Sequence, residues 1–231
     1  MARKHTWLIV TLLLGVFMGA LDIFIVAPAL GAIQTGLHVP ARLTTWSFTA
    51  YTLVLVVTQP FVAKLSDLYG RRWIYIGCVA LFGAGSALCA TSHAFGPFIL
   101  GRCIQAVGAG GILPVANAII ADVFPEEKRG AMLGLNAIMF GSAFILGPII
   151  GGVLTQGLHL GGLVTDWHAI FIVNLPLAVI VILLAARTLP AVPVRATAHA
   201  AFDWNGMLLL AAALFLLVFG LTQFDFTAGF A

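Results

Sequence analysis

The chain has 231 residues, of which 61 % are hydrophobic and only 8 % charged, with a mean hydropathy of +1.10. That composition excludes an ordinary soluble domain, whose surface needs several times more charge. The formal net charge of +3 marks no nucleic-acid partner, because the cations lie beside apolar runs rather than together in a basic patch.

Apolar runs of about twenty residues recur, each long enough to cross the hydrocarbon core of a bilayer. In lipid the backbone must satisfy its own polar groups, so the runs predict a bundle of transmembrane helices in an all-α integral membrane protein. Seven spans are expected, at about 7–29, 46–63, 73–91, 97–117, 132–156, 168–187 and 205–224. A linker is expected over 188–203, with the seventh helix and the chain end over 204–231. Breakers mark the connections: Pro40, Gly70, Gly96-Pro97, Pro125, Pro190 and Pro193. Arg3 and Lys4 followed by an apolar run imitate a secretory signal. The run continues past Asp22 to about Ala29, too long for one, so it reads as an uncleaved first helix.

Charge counting sets the topology. With the N-terminus inside, the cytoplasmic segments hold Arg3, Lys4, Lys64, Arg71, Arg72, Lys128, Arg129, Arg187 and Arg195, whereas the outer loops hold only Arg42. The expected protein is therefore a multi-pass component of the plasma membrane with a cytoplasmic N-terminus and an external C-terminus. Cys78, Cys89 and Cys103 are odd in number and lie in or near spans, so they read as buried small hydrophobes.

In the first span Asp22 is the one charge, and in the fourth it is Arg102. Charges in hydrocarbon face a partner or a wet cavity. At 1.5 Å per residue they lie roughly 10 Å and 8 Å below the outer ends of their spans, a depth that allows a pair if the two helices are neighbours. A static ion pair locking two helices is one reading; a working pair that binds substrate or protons is the other. Gln105 lies one turn after Arg102 on the same helix face, and Ala109 follows. Between spans two and three, residues 61–75 form a short charged hinge carrying Lys64, Asp67, Gly70, Arg71 and Arg72. Span five carries Gly147-Pro148 and Gly151-Gly152, which predict a kinked, closely packed helix.

Several of these segments, in order, resemble the major facilitator superfamily. Asp67, Gly70, Arg71 and Arg72 match the loop pattern G-x-L-x-D-x-x-G-R-R/K, with Ala63 in place of its first Gly. Asp22, Ile25, Val26, Ala29 and Leu30 match L-D-x-T-I-V-N-x-A-L-P of the fourteen-helix drug–proton antiporter group, with Phe24 and Ala27 replacing its Thr and Asn. Thr45-Trp46 and Ala50-Tyr51 resemble that group's T-W-x-x-x-A-Y, although an aromatic belt at the outer interface explains Trp46 and Tyr51 equally well. Arg102, Gln105 and Gly108 fit R-x-x-Q-G-x-G, with Ala106 for its first Gly. Ala121-Asp122, Phe124-Pro125 and Arg129-Gly130 fit A-D-x-F-P-x-x-x-R-G. Gly147-Pro148 with Gly151-Gly152 resembles the antiporter signature of helix 5. Trp167, Phe171, Asn174 and Pro176 resemble W-R-W-x-F-x-x-N-x-P, with His168 and Ala169 substituted.

The resemblance implies an N-terminal six-helix half, built of two three-helix inverted repeats over residues 1–187, plus one further helix. It implies a transporter rather than an enzyme, working by alternating access and coupled to the proton gradient, without a bound cofactor or metal. Export of drugs or other small lipophilic or cationic compounds is the expected activity. Asp22, Arg102 and Gln105 are the expected substrate- and proton-binding residues. Asp67, Gly70, Arg71, Arg72, Asp122 and Arg129 form the expected cytoplasmic gating loop, the acids interacting with Arg71 and Arg72. The expected partners are substrate, protons, the bilayer, and either a second half or another copy of the chain. Alone, the half is expected to turn a partly polar face with Asp22 and Arg102 toward lipid. A truncated, non-transporting membrane protein is the alternative. A haem or metal enzyme is disfavoured, because the six histidines lie in tails, loops or span ends without ligand spacing.

Overall fold

The computed structural model describes residues 2–157, 159–160, 163–190 and 204–223. Most of the expected linker, with Pro193, Arg195, His199, Phe202 and Asp203, lies outside the described residues, as do residues 224–231.

Helix α1 runs over Ala2–Ile25. Pro28 has no N–H to give to the carbonyl of Phe24, and its ring crowds that carbonyl, so a continuous helix cannot pass. The chain makes a single 3-10 turn, Ala27–Ala29, and resumes as α2 over Leu30–Gly36. The span expected to end near Ala29 is thus broken there and continues to Gly36. Pro40 then starts α3, Ala41–Tyr69, which carries Pro60 inside it. Helix α4 covers Arg71–Ala90, α5 covers Phe95–Val123 and α6 covers Glu126–Thr155. Helix α6 starts after Pro125 with Glu126 and Glu127 in its first turn, where acids complement the helix dipole.

The helices outrun the expected spans. At 29 residues each, α3 and α5 are roughly 44 Å long against a hydrocarbon core of about 30 Å. Hydropathy sees only the apolar part, whereas the polar ends stay helical into the interface. The charged hinge shrinks accordingly. Only Gly70 separates α3 from α4, at φ +94°, a conformation that suits glycine and strains other residues. Asp67 sits on the last turn of α3, and Arg71 and Arg72 begin α4.

After α6 a two-residue antiparallel ladder pairs β1, His159–Leu160, with β2, Leu163–Val164. The sixth membrane segment is split into α7, Ala169–Ile172, and α8, Asn174–Thr188. Pro176 accounts for the split, since it can neither bond to nor pass close to the carbonyl of Ile172. Helix α9, Trp204–Gln223, lies antiparallel on α3, with Phe61 against Trp204 and Trp46 against Phe219.

In the bundle α1 packs on α6 and α8, α5 on α3 and α4, and α4 on α8. The α4–α5 contact is backbone-close: a Cβ added to Gly108 would fall 2.4 Å from Phe82 N, and one on Gly85 would fall 2.4 Å from Gln105 N. Small residues therefore set the helix spacing, the usual device where lipid removes any hydrophobic drive between helices. The outward faces are apolar, with Phe144, Ile145 and Ile149 on α6 and Val179 and Leu183 on α8 exposed. Among the described residues six segments are long and apolar enough to cross a membrane, and the chain is a multi-pass membrane protein.

Candidate functional site: a buried charge cluster beside an apolar groove

Asp22 on α1 and Arg102 on α5 meet in the interior. Arg102 Nη1 lies 2.8 Å from Asp22 Oδ2, and both residues are fully buried. The same Nη1 donates to Gln105 Oε1 at 2.6 Å. With its oxygen taken by a cation that can only donate, Gln105 turns Nε2 toward acceptors. It reaches Asp22 Oδ1 at 2.7 Å and the Ser86 hydroxyl at 2.8 Å. Asn174, the first residue of α8, adds a third donor to the carboxylate, its Nδ2 lying 3.0 Å from Asp22 Oδ1. The guanidinium lies over the Tyr51 ring, Cζ 3.9 Å from the centroid, and near Phe171 at 5.7 Å. Six helices thus meet around the ion pair: α1 and α5 with the charges, α4 with Ser86, α3 with Tyr51, α7 with Phe171 and α8 with Asn174. The tight approach at Gly85 is what brings Ser86 and Gln105 together.

Asp22, Arg102 and Gln105 are brought together, but not on an exposed face. The expectation that a lone half turns Asp22 and Arg102 toward lipid is overturned, since both are completely covered by the half's own helices. Desolvating two charges is tolerable only where they are paired and hydrogen-bonded, which draws them inward together. Ser86 and Asn174 carried no sign in the sequence beyond being polar in apolar runs. Tyr51 is buried as the platform beneath Arg102, which does not fit the interfacial belt offered as one of its two readings.

A cavity of about 130 Å³ lies between α1, α3, α5 and α6, with none of the cluster's side chains in its lining. Gly19, Ile23, Leu55, Leu113 and Phe140 line it, and Gln59 is the polar residue on its wall. Ala109 faces this cavity, whereas Arg102 and Gln105, earlier on α5, are directed into the half. Glycines 147 and 151 of α6 seat the end of α1. A Cβ on Gly147 would lie 2.6 Å from Phe24 Cβ, and one on Gly151 2.4 Å from Ile25 O. Gly152 meets nothing within 4 Å, and Pro148 lies within an unbroken α6.

At the other end, Arg71 joins two acids: Nη2 is 3.3 Å from Asp67 Oδ1, and Nε is 2.9 Å from Asp122 Oδ2. Arg72 departs from expectation. It donates to the carbonyl of Ala186 on α8 and lies near Trp73, not near either acid. Its neighbour has already taken both carboxylates, and one helical step turns Arg72 about 100° away. Arg129 Nε donates to Phe124 O at 3.0 Å, closing the α5–α6 turn. At the opposite end His168 stands where the motif has Arg, with Nδ1 2.8 Å from Asp166 Oδ2 and Nε2 2.9 Å from Ser92 O. Among the described residues no three His, Cys, Asp or Glu side chains are grouped to hold a metal.

A polytopic helix bundle with a buried ion pair, hydrogen-bonded through Arg102 Nη1 while Nε and Nη2 find no partner, fits one half of a membrane transporter. The family profile of the Major Facilitator Superfamily matches residues 12–230, and the chain belongs to that superfamily of membrane transporters. It is 37 % identical to the "Uncharacterized MFS-type transporter YfiU" of Bacillus subtilis (strain 168), over 96 % of this chain and 42 % of that protein. It is 33 % identical to "Multidrug resistance protein 3" of the same organism, over 93 % of this chain and 40 % of that protein. Among solved structures, the proton:xylose symporter XylE superposes with a TM-score of 0.72 at 16 % identity, over 94 % of this chain and 53 % of XylE, and shows the same fold. The chain thus spans less than half the length of the two Bacillus relatives.

Proposed function

We propose that this chain forms the proton-handling half of an exporter of small lipophilic or cationic compounds in the plasma membrane, with the N-terminus cytoplasmic. The observation that carries the reading is the Asp22–Arg102 pair, held by Gln105 and Asn174 and wholly removed from water. A proton reaching Asp22 cancels its charge and leaves Arg102 as a buried cation without a counter-ion. Uncompensated buried charge costs about 3–5 kcal/mol, enough to drive the helices around it toward another arrangement. Export then proceeds by alternating access, this half rocking against a second half around the groove. The apolar lining of the groove suits a lipophilic cargo. The likeness to a multidrug resistance protein supports the same cargo class.

A second reading is a permanent lock between helices, favoured by the burial of Asp22 and Arg102 away from the groove. Inverted vesicles containing the full-length transporter separate the two. Added cationic dyes, with a neutral aromatic compound for comparison, should each release protons from acidified vesicles in proportion to their uptake. Substrate uptake that proceeds with no proton movement leaves only the lock.

A further inference from the structure

Asn174 and Gln105 both donate to Asp22 Oδ1, yet their amides are held very differently. Gln105 is pinned at both ends: its oxygen accepts from Arg102, and its nitrogen serves Asp22 and Ser86. Rotating that amide would place its NH2 against the guanidinium and its oxygen against the carboxylate. Asn174 is pinned at one end only. Its Nδ2 donates to Asp22, while its Oδ1 is buried and has no hydrogen-bond partner. An orphaned buried carbonyl oxygen carries a desolvation penalty, and inside a membrane bundle it calls for a reason.

Protonation of Asp22 supplies one. The ionised carboxylate takes only donors, and it has three. Once a proton from the aqueous phase bonds to Oδ1, that atom becomes a hydroxyl and must donate. The titratable groups facing Asp22 are Arg102 and Tyr51, with Cys89 on α4 also near enough to feel its charge. Arg102 can accept nothing and the Ser86 hydroxyl is bonded to Gln105 rather than to Asp22, so the Tyr51 hydroxyl, also buried without a partner, is the competing acceptor. The amide of Asn174 lies within hydrogen-bond distance and holds an unused acceptor. A half-turn about its terminal torsion, which is broad and twofold, exchanges Nδ2 for Oδ1.

We infer that Asn174 is a positioning residue that serves Asp22 in both protonation states, donating to the carboxylate and, after a half-turn of its amide, accepting from the carboxylic acid. This rests on the reading that Asp22 takes up the transported proton. The amide turn alone keeps the protonated acid hydrogen-bonded, and the shift of the bundle follows from the uncompensated charge left on Arg102. Asn174 stands at the split between α7 and α8, where Pro176 removes the competing backbone ladder.

Infrared difference spectra between acid and alkaline pH, on residues 1–231 in lipid nanodiscs, test this. The protonated Asp22 should give a carboxylic-acid C=O band that Asp22→Asn removes. A hydrogen bond donated to Asn174 lowers that frequency, so Asn174→Leu should shift the band up, while Tyr51→Phe should leave it in place. In unmutated protein carrying carbon-13 at Cγ of its four asparagines, the same pH step should move one amide C=O band. That arm needs no variant to fold. Absence of any band lost in Asp22→Asn refutes the titration of Asp22 and the inference with it. An Asp22 band that is unmoved in Asn174→Leu, or moved only by Tyr51→Phe, overturns the role of Asn174 alone.

Discussion

Neutralising one member of the buried pair should cost far more than neutralising both. Asp22→Asn keeps the shape of the side chain but strips Arg102 of its counter-ion. It leaves a guanidinium that keeps Gln105 Oε1, at 2.6 Å, as an acceptor but has no counter-ion. Arg102→Met leaves a carboxylate with two neutral donors, and it also removes the cation from over the Tyr51 ring. Each single change should cost about 3–5 kcal/mol, the usual figure for an orphaned buried charge. Within the second, the lost ring contact accounts for about 2 kcal/mol in a desolvated setting. In the double variant no charge is left unpaired. The amide introduced at position 22 still accepts from Gln105, and the thioether chain introduced at position 102 fills the stem volume over Tyr51. The double variant should therefore be more stable than the sum of the singles by at least about 2 kcal/mol. Reversible unfolding of purified protein in mixed micelles, followed by tryptophan fluorescence, reads all three free energies. Additivity within about 0.5 kcal/mol would mean that the two charges do not depend on each other, contrary to the 2.8 Å pair.

Three other outcomes are expected. Gly151→Ala should weaken the α1–α6 contact by about 1–3 kcal/mol, because its Cβ lands 2.4 Å from Ile25 O, whereas Gly152→Ala, in open space, should be neutral or slightly stabilising; unfolding in micelles compares them directly. Arg71→Ala releases both Asp67 and Asp122, so protease nicking at the α3–α4 junction should rise, more at low salt than at high, while Asp67→Asn should change little because that acid is half exposed. Reporter fusions placed after residue 35 should be active only outside and those after residue 68 only inside; a reversed pattern at either point refutes the orientation.

Much of this molecule can be read from its residues. The periodic return of apolar runs gives the helices, and the matching depths of Asp22 and Arg102 in their spans anticipate the pair. What the sequence hides is direction. Hydropathy says that a residue lies within the membrane, not whether it turns toward a groove or into the half, so the burial of the pair was not legible. The partner of Arg72 is a backbone carbonyl at Ala186, and a carbonyl has no signature in a sequence. Asn174 and Ser86 escaped because one polar residue in an apolar span looks like any other until the fold sets it beside a charge. The loop around Gly70 looked longer than one residue because charged side chains suggest a loop, although helices that protrude from the bilayer carry them comfortably.

Asp22 is proposed to couple proton entry to transport. The most direct test is dye efflux against an imposed pH gradient by the full-length transporter reconstituted in proteoliposomes, comparing Asp22 with Asp22→Asn at equal insertion. The account predicts that gradient-driven efflux is lost in Asp22→Asn while bound dye is still exchanged across the membrane down its own gradient. Efflux by Asp22→Asn that still follows the pH gradient at the unmodified rate would contradict it.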